Sequence, residues 1–163
     1  MNQNKEFNVK GFRFSAVSAG LKKEGQLDLG LIVSDTPAAC AGVFTTNKVV
    51  AAPVQVTAPR VRSGTCQAIL VNSKNANACT GEQGLQDAGY CGAETARSLE
   101  IEESLVAVSS TGVIGQRLDV DLIGRAIPRL TENLDASSAY SVAEAMMTTD
   151  SSAKVSAAYG SVN

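Results

Sequence analysis

Val108-Ser109-Ser110-Thr111-Gly112-Val113-Ile114-Gly115 is the stretch on which the reading of this chain turns. The apolar run that enters it, Leu105 to Val108, predicts a short buried strand. That strand delivers the chain into a tight turn of small residues, after which Val113 and Ile114 resume the apolar character. A glycine in such a turn lets a substrate atom come close to the main chain. Two neighbouring donors, the Thr111 hydroxyl and the Gly112 amide, suit the stabilisation of a developing oxyanion. The same spacing also describes a strand-to-loop turn with no chemistry, and the residues alone leave both readings open.

Working outward, Ala68-Ile69-Leu70-Val71 predicts a second buried strand. It runs into Asn72-Ser73-Lys74-Asn75-Ala76-Asn77-Ala78-Cys79-Thr80-Gly81, where asparagines either hold an irregular loop through side-chain to backbone bonds or line a polar pocket. From Glu82 the period becomes helical at Ala88, Cys91, Thr95, Ala96 and Leu99, with Thr80 available as a cap and Gln83 three residues on. Gly84, Gly89 and Gly92 weaken that helix and point to close packing on a sheet. Glu100 to Glu103 reads as a charged turn. Earlier, Phe12, Phe14 and Ala16 alternate with polar residues, and Lys22-Lys23-Glu24-Gly25 reads as a charged hairpin turn. A strand through Leu27, Leu29 and Leu31 follows, broken at Asp35-Thr36-Pro37, with a further strand over Ala39 to Phe44. Together these predict an antiparallel meander. Val54-Gln55-Val56, bounded by Pro53 and Pro59, reads as another strand.

After the central turn, Asp119-Val120-Asp121 opens a helix with Leu122, Ile123, Ala126 and Ile127 on its apolar face, and Pro128 is expected to kink or end it. Ser137 or Ser138 caps a third helix through Val142, Ala145 and Met146, ending at Met147-Thr148-Thr149-Asp150. The alternation Val155, Ala157, Tyr159 predicts a last strand over Lys154 to Val162 that stops in mid-pattern. The expectation is a single domain over 1–163 whose C-terminal end is incomplete, of mixed α/β class with several strands and three helices.

Composition narrows the function. The net charge is -2 with the two signs interspersed, which makes nucleic acid and anionic membrane poor partners. No stretch has the apolar length of a signal core or a membrane span, so a cytoplasmic protein is the expectation. Cys40, Cys66, Cys79 and Cys91 include no Cys-x-x-Cys pair and there is no histidine to complete a zinc site, so reduced, mostly buried thiols and no metal are expected. Absence of histidine also excludes Ser-His-Asp and Cys-His catalysis from this chain. Either the chain binds without reacting, or the attacking group comes from another polypeptide.

Three segments then carry a resemblance. Ser109 to Gly115, Asn72 to Gly81 and Met147-Thr148-Thr149-Asp150, with Gly42-Val43-Phe44-Thr45 and Ala52-Pro53-Val54, closely resemble the N-terminal alpha part of the ornithine acetyltransferase family, also called glutamate N-acetyltransferase. The resemblance implies a layered αββα-like sandwich of mostly antiparallel sheets flanked by helices, completed by a beta chain. It implies a self-cleaving precursor in which that beta chain begins with a threonine nucleophile, assembled as two alpha and two beta chains. The implied reaction is ping-pong: the threonine takes acetyl from N-acetylornithine, and glutamate collects it, with acetyl-CoA an additional donor in some members and no bound cofactor. Carried over by motif, Thr111 and Gly112 form the oxyanion hole and Thr148 contacts substrate, with Thr149 as the alternative. Family alpha chains continue to a Lys-Gly segment and an Ala-Thr-Met-Leu cleavage site, neither of which occurs before Asn163, so the resemblance implies a substrate lysine and a nucleophile outside this sequence; Ser151 stands where threonine is usual. Two other readings remain: a self-processing aminopeptidase of the same fold, and a non-catalytic binding or assembly module.

Overall fold

A computed structural model of the chain describes residues 8–23, 25–158 and 160. Four strands, β1 (Phe12–Val17), β2 (Leu29–Ala39), β3 (Thr65–Asn72) and β4 (Val106–Ser110), form one mixed sheet in the order β1-β2-β3-β4. β1, β2 and β3 pair antiparallel as a meander, whereas β4 lies parallel to β3. The parallel pair requires a crossover, supplied by α2 (Gly81–Leu99). The other helices are α1 (Ala52–Arg62), α3 (Val120–Glu132) and α4 (Ala139–Met146).

The period of two in the strands sorts the core into two layers. Leu29, Leu31, Val33, Ala68, Leu70, Val106 and Val108 pack with Ala88, Cys91 and Ala96 of α2 and with Ile123, Ala126, Ile127 and Leu130 of α3. On the opposite face Phe14 and Val71 meet Val142 of α4, supported by Phe12, Ala16 and Ile32. The mixed α/β class and the flanking helices are as expected. The second sheet of an αββα sandwich does not occur among the described residues.

Several local expectations are corrected. Val54 to Val56 lies in α1 and not in a strand. Pro53 falls in the first turn, where its missing N–H costs nothing, and Pro59 is tolerated because α1 is tied to the sheet. Thr57 Oγ1 accepts from Val108 N at 2.9 Å and donates to Val108 O at 2.8 Å, and Arg60 Nη1 donates to Val106 O at 2.8 Å. Those bonds close the outer edge of β4. β2 continues through Asp35-Thr36-Pro37, where a register shift between Val33 and Ala38 absorbs the proline. Ala41 to Phe44 has no regular structure. Pro128 sits within α3, which runs on to Glu132 and is anchored by Asp119 accepting from Leu122 N. Thr80 and Ser138 occupy cap positions without making the side-chain cap bond. Thr80 Oγ1 donates instead to Asn77 Oδ1 at 2.7 Å, and Ser138 Oγ to Asp135. Of the glycines in α2, Gly84 admits Thr80 and Asn77, and Gly92 admits the Arg60 guanidinium, but Gly89 faces open space. The expected strand over Lys154 to Val162 is absent among the described residues, and Tyr159 and Val162 lie outside them, as does Glu24 of the hairpin turn. Among the cysteines only Cys91 is buried; Cys40 and Cys66 are half-buried and Cys79 is exposed. Burial and the Asp87 carboxylate push the Cys91 thiol up to about 12, which keeps it protonated and inert.

The start of α4 depends on Asp135. Its carboxylate accepts from Ser138 Oγ, from Ser137 Oγ at 2.7 Å and from Ser137 N at 2.6 Å, and these bonds hold its pKa below the usual 3.8. A lowered carboxylate pKa gives stability that is present above the unfolded value and lost as pH falls through the folded one. The stability gap between wild type and Asp135→Asn should therefore shrink as pH is lowered through and below 3.8, read by urea titration at several pH values.

Candidate active site

The site lies where β3 and β4 end side by side. Their parallel pairing persists beyond the strands as an irregular ladder. Thr111 N donates to Asn72 O at 3.0 Å, Val113 N to Lys74 O at 2.8 Å, Ala76 N to Val113 O at 2.9 Å and Gly115 N to Ala78 O at 2.8 Å. The loop from Asn72 to Gly81 is held by its own side chains. Asn72 Nδ2 donates to Asn75 O at 3.1 Å, Asn75 Nδ2 to Arg117 O at 2.8 Å, and Asn77 Nδ2 to Gly84 O at 2.9 Å. The asparagines are therefore scaffold. Lys74, Asn77 and Cys79 take positive φ, which this web of bonds must sustain.

Gly112 is fixed twice over. Its φ is +130°, and a Cβ there would stand 2.0 Å from the Lys74 carbonyl oxygen and 2.9 Å from Asn75 N. Only glycine lets the two loops approach so closely. The Thr111 amide is spent on Asn72 O, but no partner among the described residues takes up the Thr111 hydroxyl or the Gly112 N–H. Both are available to an incoming oxygen.

The end of α4 is brought to the same place. Ser73 Oγ donates to Ala145 O at 2.5 Å. Lys22 Nζ donates to Leu27 O at 3.0 Å, Ala145 O at 3.3 Å and Met147 O at 2.5 Å, using all three ammonium donors. Asp28, fully buried, orients this lysine's backbone by accepting from Ala19 N at 2.6 Å and Lys22 N at 2.9 Å. Burial lowers the Lys22 pKa from the ordinary 10.5, against the opposing pull of the Asp28 carboxylate.

Thr111, Gly112, Thr148 and Thr149 line one open cavity of ≈ 530 Å³ together with Lys22, Gln26, Lys74 and Val113. Residues far apart in the chain thus meet at one wall. Among the described residues this cavity is lined by two lysines and by no acidic side chain. Glu144 and Asp150 line a neighbouring cavity that shares Lys22, Gln26 and Thr148. Sequence reasoning missed Lys22, because a lysine in a charged turn carries no pattern that announces bonds to Ala145 and Met147. Lys74 was visible as part of the quoted loop, but nothing in its spacing marked it as a cavity residue.

Fold and cavity together define a mixed α/β domain whose open cavity is lined by threonines, a glycine and two lysines, in a chain without histidine. The chain belongs to the ArgJ family, whose profile matches residues 13–162. It is 63% identical over 147 residues to the arginine biosynthesis bifunctional protein ArgJ of Syntrophotalea carbinolica, covering 90% of this chain and 37% of that protein. The ArgJ of Geobacter sulfurreducens is 52% identical over 153 residues, covering 94% of this chain and 39% of that protein. The chain therefore spans little more than a third of the length of these curated relatives. Among solved structures, the ornithine acetyltransferase of Mycobacterium tuberculosis complexed with ornithine superposes with a TM-score of 0.85 at 37% identity, covering 90% of this chain and 82% of that one. The ArgJ of Bacillus halodurans superposes with a TM-score of 0.83 at 44% identity, covering 88% of this chain and 75% of that one.

Proposed function

We propose that this chain is the alpha portion of an ornithine acetyltransferase, moving acetyl from N-acetylornithine to glutamate, as one domain completed by a beta chain whose N-terminal threonine is the nucleophile. The threonine hydroxyl attacks the acetyl carbonyl carbon, the C–N bond breaks, and the hydroxyl proton leaves with ornithine. The α-amine of glutamate then attacks the resulting ester; its C–O bond breaks and the hydroxyl recovers a proton. In each tetrahedral intermediate the oxyanion faces the Thr111 hydroxyl and the Gly112 N–H, and Thr148, or Thr149 one residue on, contacts the substrate.

The observation that carries this reading is the convergence of Thr111, Gly112 and Thr148 on one cavity. The family membership and the superposition on an ornithine acetyltransferase support it. The absence of histidine fits a nucleophile supplied by another chain. Exposed apolar side chains beside the donors, Val113 at 54% and Ile114 at 65%, give that chain a surface to cover. The assembly is proposed as two alpha and two beta chains, in the cytoplasm. No helix among the described residues is long and apolar enough to cross a membrane.

Thr111→Ala in the assembled enzyme removes one oxyanion donor and should lower kcat for acetyl exchange roughly a hundredfold with little change in melting temperature. Unchanged turnover would take Thr111 out of the mechanism. The same assay with peptides separates the transferase from an aminopeptidase, which would release N-terminal amino acids instead.

A further inference from the structure

We infer that Asn72 is the positioning residue of the oxyanion donors: its buried side chain ties together the two loops between which Gly112 is held. This assignment rests on the acetyl-transfer reading above and adds to it what aims Thr111 and Gly112. Asn72 ends β3 and is 4% exposed. Its side-chain oxygen accepts from Ser110 Oγ at 2.6 Å, and its side-chain nitrogen donates to Ser73 O at 3.2 Å and to Asn75 O at 3.1 Å. Chemistry fixes that orientation, because carbonyl oxygens only accept and the nitrogen must therefore face them. Its main-chain carbonyl takes the Thr111 N–H at 3.0 Å. One residue thus bonds Ser110 and Thr111 on one side and Ser73 and Asn75 on the other.

These partners bracket the donors. Ser110 and Thr111 lead directly into Gly112, and the direction of the Gly112 N–H is set by the peptide plane it shares with Thr111. The opposite wall is the Lys74–Asn75 peptide, whose oxygen lies 2.0 Å and whose nitrogen 2.9 Å from where a Cβ on Gly112 would stand. The Asn72 side chain links the two walls of this contact through Ser110 Oγ and Asn75 O, so their separation follows its geometry. An oxyanion donor works only when held within about half an ångström of its place, and a strand end running into a glycine has no stiffness of its own to supply that. Asn72 itself is not among the residues that line the cavity, so its effect on the reaction passes through Thr111 and Gly112.

The test uses the assembled enzyme with Ser110→Ala, Ser110→Thr and Asn72→Asp, read by steady-state kinetics for both substrates and by melting temperature. Ser110→Ala leaves Asn72 Oδ1 without its donor and should lower kcat roughly tenfold, with KM for N-acetylornithine and for glutamate within about twofold, because the oxyanion is absent from the ground state. Ser110→Thr keeps the hydroxyl, has room for its methyl group in the ≈ 340 Å³ cavity that Ser110 lines, and should restore most of kcat. Asn72→Asp keeps an acceptor for Ser110 but turns a carboxylate on Ser73 O and Asn75 O, so kcat at neutral pH should fall roughly a hundredfold. Lowering the pH protonates that carboxyl, which then donates to Asn75 O, so its kcat relative to wild type should climb as the pH falls. Burial beside two carbonyl oxygens places this recovery above the usual carboxylate range. An asparagine with a purely structural role would lower the melting temperature and leave these kcat ratios at wild-type level. Unchanged kcat in Ser110→Ala, or a loss carried by KM, would overturn the role of Asn72 and leave the acetyl-transfer reading standing, and that variant decides the matter even where Asn72→Asp does not assemble. A wild-type assembly with no acetyl exchange at all would remove that reading and this one with it.

Discussion

Gly112→Ala should cripple the assembled enzyme and destabilise it at once. The new methyl group meets the Lys74 carbonyl oxygen at 2.0 Å and the Lys74 carbonyl carbon at 2.3 Å, both backbone atoms that no rotamer change can move. The φ of +130° is itself unfavourable for alanine. The two loops must part, which breaks the Val113 N to Lys74 O bond and carries the Gly112 N–H away from the oxyanion position. Acetyl exchange should fall by roughly a hundred- to a thousandfold, as for a lost oxyanion donor. Stability should fall by about 3 kcal/mol from strain and clash, read by chemical denaturation. Gly89→Ala is the control, since its Cβ meets nothing within 4 Å: it should leave exchange intact and stabilise α2 by up to about 1 kcal/mol. Wild-type exchange in Gly112→Ala would contradict the placement of the oxyanion donors.

Lys22→Met should have the second largest effect, although Lys22 is absent from any motif. Methionine keeps the length and removes the ammonium, leaving the carbonyls of Leu27 and Met147 without their side-chain donor and Ala145 O with Ser73 Oγ alone. The loss should be about 2 kcal/mol, since these acceptors are only partly buried and water replaces some of the bonds. The end of α4 then loosens and Thr148 with it, so kcat/KM should fall roughly ten- to a hundredfold. The pH dependence has a definite sign. The folded pKa of Lys22 lies below 10.5, so the unfolded chain keeps the proton longer. The stability of wild type relative to Lys22→Met should rise as pH climbs through the interval that ends at 10.5. A Lys22→Met enzyme with wild-type kinetics would show that Thr148 is held by other means, Ser73 Oγ on Ala145 O being the obvious one.

Much of the fold was legible because period is a strong signal. Phe12 to Val17, Leu29 to Val33, Ala68 to Val71 and Val106 to Val108 declared their strands, and the apolar face of α3 declared its helix. What failed was proline chemistry. Pro53 and Pro59 read as the bounds of a strand, Pro37 as a break and Pro128 as a kink or end, yet Pro53 sits in a first helical turn, Thr57 and Arg60 tie the helix around Pro59 to the sheet, a β-bulge takes up Pro37 and α3 runs past Pro128 to Glu132. The Thr57 and Arg60 bonds span 51 and 46 residues, and no local window contains them. The same division holds at the candidate site. Thr111 and Gly112 stood out because a turn after a buried strand has its own grammar. Lys22 did not, because its partners lie 123 and 125 residues away. Lys74 was hidden differently, since a positive φ at lysine is invisible until the backbone is seen.

The most direct test of the central claim, that this chain supplies the oxyanion donors for a nucleophile on another polypeptide, is a mass spectrum. The natively purified assembly is mixed with N-acetylornithine, quenched in acid, and its polypeptides are weighed and digested. The expected result is a second polypeptide beginning with threonine that carries one acetyl group on that threonine, while this chain stays unmodified and Thr111→Ala slows the labelling. An acetyl group on this chain, or none on any polypeptide while exchange proceeds, would contradict it.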